Sequence, residues 1–367
     1  MASPLDAITA LGAPLGLVRI GAAPLAPLPR EAFLADWLAQ GRAGEMAYLH
    51  ERTPTRLDPR AEFPWARSVI VAALPHPPPP PPDAAWRERL TGRIAAYALG
   101  VDYHARLGAT LDALVARLRD VFPDARFLAY VDTGPLLERE WAMHAGVGWI
   151  GKHTLVLDRS AGSYFLLGEL LTDLEVDGSA LPTDHCGTCT RCAAACPTGA
   201  LDGPYVMDPR RCISYLTIEL RGAIPPALRP QLGNWILGCD LCQQACPWND
   251  AADTAWAHEL SPYLPALLAM DDAAFRARYR QTVVWRAKRD GFLRNVAVAL
   301  GNTGNPEAIA PLARALTSDP SALVRGHAAW ALGRLGGTGA RNALEVARGD
   351  PDATVVAEAT SALIHRP

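Results

Sequence analysis

The sequence predicts a chain in three successive parts: an α/β domain, a small cysteine-rich domain and an all-α domain of short repeats. Three observations predict this. Apolar strand-like runs alternate with helical patterns up to about residue 180. All eight cysteines lie between Cys186 and Cys246. From Ala273 onward the chain is rich in Ala and Leu and returns on itself. The expected boundaries are 1–180, 181–255 and 256–367, since 367 residues exceed one ordinary core.

Composition narrows the class. Half of the residues are apolar and a fifth are charged, as in soluble globular proteins. The formal net charge of −3 gives no global pull on nucleic acid, so any phosphate-binding surface must be local. "MASPLDAITALGAPLGLVRI" has no basic leader and is interrupted by Pro4, Asp6 and Pro14, so it does not read as a signal peptide. No apolar run reaches the ~18 residues of a spanning helix. Clustered cysteines argue for metal in a reducing compartment rather than disulfides. A cytoplasmic monomer without membrane contact is expected.

In the first part, "SVIVAALP" (Ser68 to Pro75) is apolar and β-branched, bounded by Pro64 and Pro75, and reads as a buried strand. "RFLAYVDTGP" (Arg126 to Pro135) reads as a strand ending in a turn, and "SYFLLGELLTDLEV" as a further strand. Between the first two lie "HPPPPPPD", a polyproline loop by composition, and the helix-like "RLGATLDALVARLRDVF". An α/β layer arrangement follows.

The second part carries the clearest chemistry. Cys186, Cys189 and Cys192 follow C-x2-C-x2-C, and Cys196-Pro197 comes three residues later: the bacterial ferredoxin run. Its tight loop aims three thiolates at one cubane, while the fourth reaches a second cluster. Four more thiolates are present in Cys212, Cys239, Cys242 and Cys246-Pro247. One [4Fe–4S] cluster is therefore assigned to Cys186, Cys189, Cys192 and Cys246, and the other to Cys196, Cys212, Cys239 and Cys242. Zinc sites favour paired C-x2-C units without the Cys-x3-Cys-Pro ending.

Clusters carry electrons but choose no substrate, so the reaction belongs to the first part. Asp132 ends an apolar strand and opens a turn, where ligands of open α/β sheets gather. A carboxyl with apolar neighbours there would have a raised pKa and could donate a proton, although an Asp can equally serve to cap the next segment. "GVDYHARLG" nearly matches D-x-H-x-x-G, which in some proteins supplies a histidine ligand to cobalamin. Its glycine stands one place late, at Gly108, so His104 is expected to be a hydrogen-bonded structural residue. "AGVGWIGKHT" is a Gly-spaced loop without P-loop order, and no G-x-G-x-x-G opens a helix.

The third part shows the repeat. "DPSALVRGHAAWALG" from Asp319 returns as "DPDATVVAEATSAL" from Asp350, and the Ala-Leu-Gly triplets in "RNVAVALGNTG" and "RGHAAWALGRLG" also recur. That period suits stacked helix pairs of the HEAT kind. Just before it, "RARYRQTVVWRAKRDGFLR" sets seven basic residues, with Tyr279 and Trp285 interleaved, against the single acid Asp290. Such an excess could follow a phosphate backbone, or simply be a solvated helix face. The candidates for nucleic acid are Arg221, Arg286, Lys288, Arg289 and Arg294.

Together these motifs resemble the epoxyqueuosine reductase family. The residues that carry the likeness are "RLDP" (Arg56 to Pro59), "AYALGVDYH", "YVDTGPLLERE", "AGVGWIGKHT", "AGSYFLLGELLTD", the eight cysteines, "CISYLTIE" and "FLRNVAVALGN". "VDTGPLLERE" with "CISYLTIE" is far more specific than the ferredoxin run. The resemblance implies an α/β N-terminal cobalamin-binding domain, a ferredoxin-like domain with two [4Fe-4S] clusters, and C-terminal HEAT-like repeats that help hold tRNA. It implies a base-off cobalamin without a histidine ligand, and electrons from an external low-potential donor. The substrate would be tRNA carrying epoxyqueuosine, with Asp132 protonating the departing epoxide oxygen. By the same likeness Arg56, Tyr97, Asp132, His153 and Ser214 would line the cobalamin. A reductive dehalogenase-like enzyme, an electron-carrier subunit and a tRNA-binding scaffold are the rival readings.

Overall fold

The computed structural model describes residues 3–79, 81, 83–250 and 261–364. Two residues of the proline run, Pro80 and Pro82, and the boundary expected between 255 and 256 lie outside the described residues. The chain forms two compact units, each built from separate segments. Unit 1 comprises Met1–Pro79, Val101–Asp208 and Asp240–Trp256; unit 2 comprises Pro80–Gly100, Pro209–Cys239 and Ala257–Pro367. These units cut the cysteine-rich segment differently from a division in sequence order.

Unit 1 is built on a four-stranded sheet. Strands β1 (Arg19–Pro24), β2 (Ser68–Pro75), β3 (Phe127–Tyr130) and β4 (Phe165–Thr172) lie in the order β1-β2-β4-β3. Every pairing is antiparallel. The α/β expectation holds in the sense of mixed helices and strands. The rule that ligands collect at the carboxyl ends of parallel strands does not apply to this sheet, because alternate strands run in opposite directions.

Strand β2 is interior and covered on both faces, which is why it reads as one unbroken apolar run. Its odd-numbered residues Val69, Val71 and Ala73 join one core, while Ile70, Ala72 and Leu74 join the other. Over the second core lies helix α1 (Tyr103–Val121). Its Leu107, Leu111, Leu114, Val115 and Leu118 recur at helical spacing, are all buried, and each contribute about 1.5–3 kcal/mol of apolar burial. Over the first core lies α2 (Glu138–His144), with Trp141 and Ala142 inward.

Unit 2 is mainly helical. Helix α3 (Lys288–Thr303) is buried along nearly its whole length; α4 (Ile309–Ser318), α5 (Ala322–Leu335), α6 (Gly337–Ala347) and α7 (Ala353–Ile364) follow. The recurring Ala-Leu-Gly has a physical reason. A Cβ on Gly301 would lie 2.8 Å from Ala331, and one on Gly333 would lie 2.6 Å from Ala362. Gly301 on α3 thus leaves room for the close approach of α5, and Gly333 on α5 for that of α7.

Burial alters the reading of the basic stretch. Arg294 is fully buried and spends its guanidinium on the carbonyls of Leu220, Gly222 and Leu216 and on the Asn295 side chain. Arg289 is also buried and pairs with buried Asp319 at 2.6 Å. Both hold unit 2 together, and neither charge faces a solvent-borne phosphate. Arg286 pairs with Glu219, and Arg221 donates to the Arg286 carbonyl. Lys288 stays exposed beside the Trp285 ring, and Arg276, Arg278 and Arg280 are exposed as well.

Candidate functional site

Two groups of functional side chains stand within unit 1. The first surrounds an open-sided cavity lined by Cys186, Cys189, Cys192 and Cys246 together with His153 and Lys152. These four thiols are the set assigned by spacing to one cluster. A turn closed by the Cys189 N–H on the Cys186 carbonyl draws the loop together, and Gly187 within it takes a left-handed φ of 48°. Lys152 Nζ reaches the Gly187 and Cys189 carbonyls and pins the loop from outside. Trp149 packs edge to face with His185 and with Trp248 alongside.

The chemistry of the donors fits an iron–sulfur cluster. None of the eight cysteines forms a disulfide. Among the described residues, no three His, Cys, Asp or Glu side chains converge to hold a single metal ion. The four thiols line a cavity instead, as a cubane would need. Burial pushes the Cys192 and Cys246 thiols up, and the neighbouring thiols add to it, so thiolates there require a compensating positive charge such as iron. His153 accepts from the Leu155 N–H through Nδ1, which places its proton on buried Nε2. Of the second cysteine set, Cys196 and Cys242 belong to unit 1, and Cys212 and Cys239 to unit 2.

The second group gathers at the end of β3. Asp132 has a left-handed φ of 56°, a conformation that Asp tolerates better than most residues. Its N–H donates to Glu138 Oε1 at 2.7 Å, and its carboxylate lies 3.2 Å from His104 Nε2. His104 Nδ1 is 2.7 Å from Asp102, whose carboxylate also caps α1 by accepting the His104 N–H. Both ring nitrogens are thereby committed to carboxylates, in keeping with a structural role for His104. The hydrogen bond to Asp132 foremost, and then the one to Asp102, raise the His104 pKa.

Asp132 does not have the apolar surroundings expected for it. Its side chain is 43% exposed and stands among charged groups. The displaced carboxyls are its neighbours. Burial, and then the charge of Asp132, push Glu138 up to about 7. Glu169, on β4 and fully buried, is raised well above the usual range by burial and then by Glu138 and Asp132. Glu169 was not singled out from the sequence. The available signal was a lone acid within the apolar strand "FLLGELLT".

The other residues tied to cobalamin by resemblance are divided between the two units. Arg56 donates to the Tyr48 and Glu51 carbonyls, and burial lowers its pKa. Tyr97 and Ser214 belong to unit 2, Ser214 on the helix Ile213–Ile218.

Comparison with known proteins now bears on these groups. The family described as "Epoxyqueuosine reductase QueG, DUF1730" matches residues 56–133, which includes Asp132. A 4Fe-4S double cluster binding domain matches residues 185–249, and HEAT repeats match 287–364. The epoxyqueuosine reductase of Pseudomonas aeruginosa is 40% identical over 89% of this chain and 93% of its own. The chain belongs to the epoxyqueuosine reductase family. The Escherichia coli epoxyqueuosine reductase is 37% identical over 90% of this chain and 91% of its own. Among solved structures, an epoxyqueuosine reductase with an epoxyqueuosine-modified tRNA stem loop has a TM-score of 0.87 at 28% identity, covering 98% of this chain and 97% of that one. The Bacillus subtilis epoxyqueuosine reductase, with a catalytic aspartate loop swung out of its active site, has a TM-score of 0.88 at 27% identity over 99% of this chain and 98% of that one. The double cluster domain supports two iron–sulfur clusters here, and no helix among the described residues is long and apolar enough to cross a membrane.

The raised carboxyls give a pH prediction. Glu138 and Glu169 bind protons more tightly folded than unfolded, so the native state holds protons that the unfolded chain sheds. Stability falls as pH rises from the ordinary carboxylate range through about 7, and His104, also raised, adds to the fall. Replacing Glu138 and Glu169 together with Gln should flatten Tm between about pH 5 and pH 8 relative to the native chain. Equal slopes would mean that these carboxyls titrate normally.

Proposed function

We propose that this chain reduces epoxyqueuosine to queuosine in tRNA, with Asp132 as the proton donor. The observation that carries this reading is the position of Asp132, part-exposed and held by His104 and Glu138, in a member of this family. Membership favours it over the dehalogenase-like and electron-carrier readings.

Cobalamin, which we propose is lined by Arg56, Tyr97, Asp132, His153 and Ser214, would together with the two clusters supply the electrons and the reducing centre. His104 has both nitrogens occupied, which suits a cobalamin held without a histidine ligand. We assign Cys186, Cys189, Cys192 and Cys246 to one cluster, and Cys196, Cys212, Cys239 and Cys242 to the other. The electrons would come from an external low-potential donor, and the protein is read as a cytoplasmic monomer.

The protein's own part is proton delivery. An epoxide oxygen leaving as an alkoxide is a poor leaving group, and protonation by a positioned acid lowers that barrier. Asp132 has its backbone fixed through Glu138 and its carboxyl oriented by His104, so it can present a proton on its exposed side. His104 in turn is oriented by Asp102. For tRNA, the exposed charges Arg276, Arg278, Arg280 and Lys288 are better suited than buried Arg289 and Arg294, with Arg221 and Arg286 nearby in the same unit.

Anaerobic turnover of epoxyqueuosine-containing tRNA by the cofactor-loaded chain tests the reading. Product from the native chain, with a loss of about 10²-fold or more in Asp132→Asn at unchanged cofactor content, is expected. Equal rates would remove Asp132 from the chemistry, and no product from either would remove the substrate. In binding assays, Arg276→Ala with Arg278→Ala should weaken tRNA binding and lower its salt slope by about 2. An unchanged slope would mark that face as merely solvated.

A further inference from the structure

A tight hairpin carries His153 to the first cysteine set. Trp149–Ile150 pairs antiparallel with Val156–Leu157, and residues 151–155 turn between them. The Gly151 N–H donates to the Leu155 carbonyl at 2.8 Å, and the Thr154 N–H to the Gly151 carbonyl at 2.8 Å. Thr154 takes a left-handed φ of 68°, and its carbonyl and hydroxyl both accept from Arg139 of α2. On the other flank Lys152 donates to the Gly187 and Cys189 carbonyls. The turn is thus tied to α2 on one side and to the cysteine loop on the other.

Within that turn the His153 ring is fixed, and one of its nitrogens has nothing to bond. The residue is 3% exposed. Nδ1 accepts the Leu155 N–H at 3.1 Å, so the ring proton belongs on Nε2. Nε2 is buried and has no hydrogen-bond partner among the described residues. A buried donor left unmet is costly, and it marks a place where an acceptor is still to come. The ring lines the cavity that the four thiols surround. Gly151 gives it room, since a Cβ there would lie 3.1 Å from His153 Cε1 and 3.4 Å from Nε2. Other polar side chains on this cavity are placed differently. Lys152 is spent on loop carbonyls, Arg191 is exposed, and half-buried His185 packs against the Trp149 and Trp248 rings. Donation to a cysteine sulfur already occurs in the second set, where Cys196 accepts the Ala200 N–H at 3.3 Å.

We infer that the His153 Nε2–H donates to a sulfur of the iron–sulfur cluster held by Cys186, Cys189, Cys192 and Cys246, and so raises the reduction potential of that cluster. A reduced cluster carries one more negative charge than the oxidised form, and its sulfurs accept a hydrogen bond more strongly. A donor fixed beforehand at the sulfur therefore favours the reduced form. His153 touches no substrate and acts only through the cluster. The inference rests on the cluster assignment proposed above, and not on the identity of the substrate.

The test is a redox titration of the full-length, cluster-loaded chain followed by electron paramagnetic resonance, with and without cobalamin. His153→Phe keeps a ring and removes the donor, whereas His153→Gln keeps an N–H at similar reach. In His153→Phe the midpoint of one cluster should fall by about 59 mV, a tenfold shift in its one-electron equilibrium, while the other cluster is unmoved. His153→Gln should recover most of that fall. A second readout uses chain grown on heavy-nitrogen-labelled histidine. The reduced native cluster should show a coupled histidine nitrogen in pulsed spectra, and His153→Gln should lose it. Should His153→Phe fail to take up its clusters, this second readout decides on the other two chains. Native midpoints in both variants, no histidine coupling, or a coupling that survives in His153→Gln would overturn the inference. A shift seen only with cobalamin bound would overturn it as well and give the Nε2–H to cobalamin. If the native chain took up less iron and sulfide than two [4Fe–4S] clusters need, the cluster assignment would fall and the inference with it. Neither readout uses turnover, so failure of the substrate reading alone would leave the inference standing.

Discussion

The constraint on which the rest of unit 1 depends is the crowding of acids at one end of its sheet. Asp132 adds to the burial that raises the proton affinity of Glu138, both add to that of Glu169, and only Asp132 reaches solvent substantially. Like charges so placed cannot all ionise at neutral pH. The site therefore keeps protons where an ordinary acidic surface would release them. Everything nearby serves to hold this arrangement: α2 carries Glu138 over the core, β4 carries Glu169 beneath it, and α1 brings Asp102 and His104 to the Asp132 carboxylate.

The sheet was legible where burial left a simple pattern. "SVIVAALP" reads as a covered strand, and Ser68–Pro75 is interior and buried along its length apart from its last residue. Asp132 was legible as the residue at a strand end, but its environment was not. Sequence neighbours suggested apolar shielding, whereas the actual neighbours come from His104 and Glu138, across a turn and from another helix. The antiparallel order of the sheet was also hidden, since strand direction depends on connections that no local pattern encodes. The four cysteines of the first set meet at one cavity because their loop geometry is local, and local spacing is what sequence records best.

Charge misled in the helical unit for a definable reason. Arg289 and Arg294 sit in "KRDGFLRNVAVALGNT", a helix buried on nearly every side although it carries charged and amide side chains as well as its apolar run. Basic residues within it must find internal acceptors, and these do, on Asp319 and on three backbone carbonyls. Of the exposed cations, Arg276 and Arg278 lie on the preceding helix Asp272–Tyr279, which buries only Phe275 and Tyr279. The same packing logic accounts for the repeated glycines, which mark where one repeat lies close against the next.

The central claim is that Asp132, held beside Glu138 and His104, supplies a proton to the reaction. Its most direct test is the pH dependence of the single-turnover rate for epoxyqueuosine-containing tRNA, with saturating substrate and full cofactor occupancy. The account predicts a rate that falls as pH rises through about 7, where Glu138 gives up its proton. A rate that is flat across that range, or that rises with pH, would contradict it.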